Sequence, residues 1–206
     1  MRGLGQLFIF EGPDYSGKTT LALALSEYLR SKGIDCDYCA FPGKESGTLG
    51  RLVYELHHGL EATGIRTINA TSLQLMHIAA HVDTIESRIL PALKTGRNIV
   101  LDRFWWSTLV YGTVGGANRE MLLKMVELEQ ICWADHAPAA IFLLQRLNQR
   151  NSPMTETGWK AVSDEYHRVA SQETGNYPIH YVRNDGDVAD SLTNVIKHIH
   201  LSEELS

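Results

Sequence analysis

Short unbroken apolar runs alternate along this chain with longer stretches in which apolar residues recur every three or four positions. The first pattern predicts buried strands and the second amphipathic helices. Leu7–Phe10 is the first run, and it stops at Glu11-Gly12-Pro13. A helical period runs from Lys18 to Lys32 through Leu21, Leu25 and Leu29, and Gly33 ends it. Ile34–Phe41 predicts a second strand, broken by Pro42-Gly43, and a Gly/Ser/Thr-rich turn leads into a helix over 49–58. After a polar connection over 61–69, a long helix is expected from Ala70 to Thr95, kinked or ended at Pro91.

Asn98–Asp102 is a third strand pattern, followed by helices over 107–112 and 119–132. Ala139–Leu144 predicts a fourth strand. Residues 145–158 are polar and aperiodic and read as a loop or short lid. A helix over 159–171, a fifth strand over Ile179–Arg183 and a last helix reaching Leu201 complete the chain. Strands alternating with helices at this spacing imply an α/β fold, a five-stranded parallel sheet with helices on both faces and right-handed crossovers. With 206 residues, one domain spanning 1–206 is expected.

Composition narrows the function. A chain with 44% hydrophobic and 21% charged residues is an ordinary soluble one. Nineteen Lys+Arg against twenty-four Asp+Glu give a charge of −5, which argues against nucleic acid as a partner but leaves room for a small anion. Three cysteines cannot build a disulfide framework and suit a reducing compartment. Cys36 and Cys39 form a C-x-x-C with no second pair to complete a zinc site. Within a strand they point to opposite faces, as buried thiols do. No apolar run reaches the roughly 18–20 residues of a membrane span, so no membrane and a cytoplasmic location are expected.

Residues 12–20, GPDYSGKTT, satisfy G-x-x-x-x-G-K-[ST] through Gly12, Gly17, Lys18 and Thr19. The pattern lies where it must, after an apolar strand and at the start of a helix. The backbone over Pro13, Asp14, Tyr15, Ser16, Gly17 and Thr20 can curl around phosphate oxygens, every one of these residues but Pro13 offering an N–H, and the helix N-terminus adds partial positive charge. Lys18 brings a full charge to the terminal phosphates, and the Thr19 hydroxyl is placed for Mg2+. Asp102 ends a strand, where a second metal-directed carboxylate belongs, and Arg103 follows it.

FEGPDYSGKTT at 10–20, FPGKESGTLG at 41–50 and DRFWWSTLVYG at 102–112 together resemble the thymidylate kinases. That resemblance covers roughly residues 5–145. It implies a P-loop kinase using ATP and Mg2+ to phosphorylate a deoxynucleoside monophosphate, dTMP first, and it implies a homodimer. Asp14 matches the family's P-loop acid. Phe41 and Pro42 would shape the acceptor pocket, and Lys44 and Arg103 would hold the acceptor phosphate. Ser107 and Thr108 would line the base pocket, with Tyr111 under the sugar.

The sequence departs from that family in four places. His77 and His81 stand where the family carries Phe and Arg against thymine, so another base is open. One helix face carries both, and they read as base-pocket residues, as interior histidines or, least economically, as half a zinc site. Arg146 and Arg150, four apart after the fourth strand, could face ATP phosphates together and act in catalysis, or be solvated surface residues. Tyr15 replaces a Gly or Arg, and Trp105-Trp106 is an unusual pair that either narrows the pocket or packs the core. Two other functions share the P-loop: a deoxynucleoside kinase acting on a 5′-OH, and a nucleotide-binding regulator without turnover. The phosphate-directed Lys44 and Arg103 favour a monophosphate acceptor.

Overall fold

The computed structural model describes residues 3–133, 136–147 and 153–199. Five parallel strands, β1 (Leu7–Glu11), β2 (Cys36–Ala40), β3 (Asn98–Asp102), β4 (Ala140–Gln145) and β5 (Ile179–Arg183), form one sheet in the order β2-β3-β1-β4-β5. β1 lies at the centre with all five residues buried. That is why it reads as a continuous apolar run and not as an alternation. Its side chains divide between two cores. Leu7 and Ile9 join Ile99, Leu101, Ile141 and Leu143 on one face. Phe8 and Phe10 join Val100, Phe142 and Leu144 on the other.

The second face is covered by α1 (Lys18–Ser31), through Leu21, Leu25 and Leu29, and by α9 (Val188–Ile196), through Val195. The first face takes α4 (Ala70–Thr84), α5 (Leu90–Lys94), α6 (Trp105–Val114), α7 (Arg119–Trp133) and α8 (Glu156–Glu173). α2 (Leu49–His58) packs against α4, and the short α3 (Leu60–Thr63) follows it, overlapping the stretch read as a polar connection. Cys36 belongs to one core and Cys39 to the other, as the strand period requires. Burial pushes the Cys36 thiol up to about 12 and the Cys39 thiol up to about 11, so neither is a reactive thiolate.

Four boundaries differ from the sequence reading, each for a local reason. The long helix holds a π-helical turn, Ile85–Ile89, just ahead of Pro91. Pro91 has no N–H for the Ser87 carbonyl, and its ring crowds that carbonyl, so a wider turn absorbs the misfit. α6 begins at Trp105, two residues early, because its cap comes from Glu11 on β1 and not from its own sequence. α8 begins at Glu156, inside the expected lid, because the Thr155 hydroxyl accepts from Gly158 N–H at 3.1 Å. α9 ends at Ile196, and Leu201 lies outside the described residues.

Candidate active site

The register that pairs Phe10 with Asp102 brings the ends of β1 and β3 together, and the loop 12–17 opens α1 directly above them. Two of its glycines are forced. Gly12 has φ +140°, and a Cβ there would lie 2.7 Å from the Leu144 carbonyl oxygen. Gly17 has φ +94°, and a Cβ there would strike the Asn184 amide. That amide donates to the Ser16 carbonyl at 2.7 Å, and the Asn184 side-chain oxygen accepts from Ser191 at 2.8 Å. Tyr15 takes φ +63°, a left-handed conformation that favours glycine. The loop encloses a cavity of about 250 Å³ lined by Asp14, Tyr15, Gly17, Lys18, Thr19, Thr20 and Arg103.

Charge is concentrated at its floor. Lys18 is only 5% exposed, donates to the Pro13 carbonyl at 2.8 Å and lies 3.8 Å from Asp14. Burial, with the nearby Arg103 guanidinium, pushes its pKa down to about 8. Arg103 has φ +77° and pairs with the Asp14 carboxylate. Burial alone would weaken Arg103 as a base, yet facing Asp14 raises it well above the ordinary value. Burial likewise acts to raise Asp14, but Arg103 and Lys18 outweigh it and hold the carboxyl low. The Arg103 guanidinium lies 5.3 Å over the Tyr111 ring, and the Tyr111 hydroxyl accepts from Asp14 N–H at 2.8 Å.

The Thr19 hydroxyl donates to Asp102 Oδ2, and Tyr38 donates to the same oxygen at 3.3 Å. Asp102 Oδ1 is buried with no partner among the described residues, as is the Ser16 hydroxyl. A buried orphan carboxylate oxygen beside a hydroxyl fits a hard divalent cation such as Mg2+. Among the described residues no group of three His, Cys, Asp or Glu could hold a metal by itself.

Beneath this floor lies a hub that the sequence did not announce. Glu11 is fully buried and accepts from Phe104 N–H at 2.7 Å, Ser107 N–H at 3.0 Å, Ser107 Oγ at 2.8 Å and Tyr166 OH at 3.0 Å. Burial raises its pKa, and Arg103 with those donors offsets only part of the rise. Ser107 Oγ also accepts from Arg103 at 3.1 Å. Its hydroxyl is therefore engaged below the site, and Thr108 is buried beside it. From α8, Trp159 reaches the Asp14 carbonyl at 3.4 Å. One carboxylate thus fixes the start of α6 and the turn that carries Arg103.

The surroundings of Phe41 are built differently. Phe41, followed by a cis Pro42, stacks on His81 with centroids 4.0 Å apart. The Nδ1 of His81 bonds the fully buried Glu129 at 2.8 Å, so His81 is a platform under Phe41 and not an open wall. His77 faces His57, which the sequence reading missed, at 3.1 Å. Lys44 lies 4.6 Å over the Tyr54 ring, in a groove of about 300 Å³ with Glu45 and Arg88, and is not drawn into the Asp14–Arg103 group. Trp105 and Trp106 are core residues. Arg146 follows β4, half-buried, with its ε N–H unpartnered among the described residues. Arg150 and much of the expected lid lie outside the described residues.

Three curated thymidylate kinases are similar in sequence. That of a Geobacillus species is 33% identical over 122 residues, 59% of this chain and 56% of that protein. That of Dinoroseobacter shibae is 39% identical over 125 residues, 60% and 56%. That of Ruegeria pomeroyi is 38% identical over 129 residues, 62% and 56%. The matched stretch thus spans a little over half the length of these relatives. The crystal structure of Ehrlichia chaffeensis thymidylate kinase superposes with a TM-score of 0.75 over 94% of this chain and 97% of that one, at 22% identity, which shows a shared fold. The thymidylate kinase family model matches residues 10–177, across the P-loop, the Phe41–Pro42 turn, the Asp102–Arg103 turn and α8, and the chain therefore belongs to the thymidylate kinase family.

Proposed function

We propose that the protein transfers the γ-phosphoryl group of ATP to the 5′-phosphate of a deoxynucleoside monophosphate, with dTMP the leading acceptor. An acceptor phosphate oxygen bonds to the γ-phosphorus while the bond to the β–γ bridging oxygen breaks. Both partners are polyanions, so the protein's task is positioning and charge neutralisation. The observation that carries the reading is the cavity where Lys18 and Arg103 converge on Asp14 above a P-loop.

In this reading the loop N–H groups and Lys18 hold the donor's phosphates. Arg103 exchanges Asp14 for the acceptor phosphate. Tyr111 lies under the sugar, and Phe41 on its His81 platform bounds the pocket with Pro42. Thr19 and Asp102 would hold Mg2+, which supplies further neutralisation of the triphosphate. Arg146 enters from the lid side, where β4 runs against Gly12 and its ε N–H awaits an anion. A homodimer belongs to the same reading, supported by Met121, Leu128 and Ile131 exposed at i, i+7 and i+10 of α7. Among the described residues no helix is long and apolar enough to cross a membrane.

Incubation with ATP, Mg2+ and panels of deoxynucleosides and their monophosphates, following ADP, tests the reading. ADP formed with monophosphates alone supports it. ADP formed with nucleosides alone, or ATP bound without turnover, rejects it.

A further inference from the structure

The two oxygens of the Glu11 carboxyl meet different kinds of partner. Oε1 faces two backbone N–H groups, those of Phe104 at 2.7 Å and Ser107 at 3.0 Å. Oε2 faces two hydroxyls, Ser107 Oγ at 2.8 Å and Tyr166 OH at 3.0 Å. Those hydroxyls also meet each other at 2.8 Å. Three oxygens therefore close a triangle, each edge a direct contact too short to hold a water between. All three residues are buried, Glu11 fully. The Arg103 guanidinium approaches the triangle from outside and donates to Ser107 Oγ at 3.1 Å.

Hydrogen counting separates the two ionisation states. Each hydroxyl brings one hydrogen. With Glu11 ionised, two hydrogens serve three edges, and one edge is left with lone pairs facing each other at 3.0 Å or less. With Oε2 protonated, three hydrogens serve three edges. Each oxygen then donates once and accepts once around the ring, in either sense. Ser107 Oγ spends its remaining lone pair on Arg103. Oε1 becomes the carbonyl oxygen, which only accepts, and its two N–H partners suit that. Burial acts in the same direction and raises the acid. The charges facing it, Arg103 from the turn after β3 and Lys18 from α1, oppose the rise together with the Ser107 and Phe104 bonds. Burial and Glu11 itself keep Tyr166, from α8, a neutral phenol.

A neutral acid here changes what Arg103 can do. On its open side Arg103 pairs with Asp14, whose side chain is 38% exposed and free to yield to a phosphate. A charged Glu11 could not yield, being fully buried and fixed through both oxygens. It would neutralise Arg103 permanently from below. We propose that Glu11 is a protonated acid at neutral pH and a positioning residue, which aims Arg103 through Ser107 at the acceptor phosphate without neutralising it. The same acid holds the peptide that follows Arg103, whose φ of +77° needs such a tether. Ser107 thereby serves the arginine and not the base. The role at Arg103 rests on the phosphotransfer reading, and the protonation of Glu11 does not.

Spectroscopy and kinetics test it separately. The infrared difference at pH 7, wild type minus Glu11→Gln and without nucleotide, should show the C=O stretch of a neutral carboxylic acid. Its absence overturns the inference. Ser107→Ala keeps the backbone N–H to Oε1 and removes the bridge to Arg103. The acceptor KM should rise about tenfold while the KM for ATP holds. An unchanged acceptor KM, or an equal rise for both substrates as a merely structural loss would give, overturns the positioning role. Glu11→Ala should raise the acceptor KM in the same way. Glu11→Gln, the isostere of the neutral acid, should bring it back to within about fivefold of the wild-type value. A larger deficit means that the charge is needed and overturns the inference. The infrared band without turnover on any monophosphate upholds the acid and rejects phosphotransfer. An active enzyme without the band does the reverse, so the two failures are distinct.

Discussion

The donor half of the cleft and its acceptor half are made in different ways. The donor half is a continuous stretch, residues 12–20, whose backbone does the binding and whose glycines are dictated by the Leu144 carbonyl and the Asn184 amide. The proposed acceptor half collects side chains from the turn after β2 and from α2, α4, α6 and α7. There Phe41 rests on His81, His81 on Glu129, and His77 on His57. A backbone cradle tolerates little change, because no side chain can replace an N–H. A wall of side chains can be rebuilt to suit a different ligand while the fold persists.

That contrast breaks most visibly at Lys18. Lys18→Ala should lower turnover by about 10²–10³-fold, the cost of one aimed charge, with an unchanged melting temperature, because the side chain stabilises no core. Steady-state assay alongside thermal melting checks both. At the hub beneath the two halves, Glu11→Ala strands the buried N–H groups of Phe104 and Ser107. It should cost about 3 kcal/mol, seen as a fall of roughly 6–12 °C in Tm. Glu11→Gln keeps an acceptor for both and should recover most of that loss.

The acceptor half alone should respond to Glu129→Gln, which loosens the His81 platform. The acceptor KM should rise about tenfold, as loss of about 1.4 kcal/mol implies, while ATP affinity is unmoved. An equal loss for both substrates would erase the distinction drawn here. On the donor side, Lys18 titrates at about 8, and its charged form is the one that binds phosphate. ATP affinity of the free protein should therefore be full below that pH and fall as pH rises through it, by up to about tenfold per pH unit. Calorimetry from pH 7 to 9 reads this directly. The smallest effect is expected from Tyr38→Phe, which leaves Thr19 as donor to Asp102 and should cost about 0.5–1.5 kcal/mol, read as a modest change in Mg2+ dependence.

Much of the architecture was legible because it is local. β1, β3 and β4 are apolar runs in the sequence, and the P-loop declares itself by spacing. What escaped was whatever one element does for another. The N-terminus of α6 has no capping residue of its own, since Phe104 is extended and Glu11 supplies the acceptor from β1. His57 lies in an unremarkable helical stretch and gains meaning only against His77, twenty residues away. Glu129 reads as a surface residue of an amphipathic helix, yet it is fully buried against His81.

The sequence by itself determined the strand–helix alternation, the phosphate loop and the Asp102–Arg103 turn, because each depends on backbone preference and neighbours within a few residues. Only the tertiary structure decided which carboxylates are buried, which histidines face one another and where Lys44 lies. Those outcomes depend on desolvation and on partners brought together by parallel pairing of distant strands, and no local pattern encodes them.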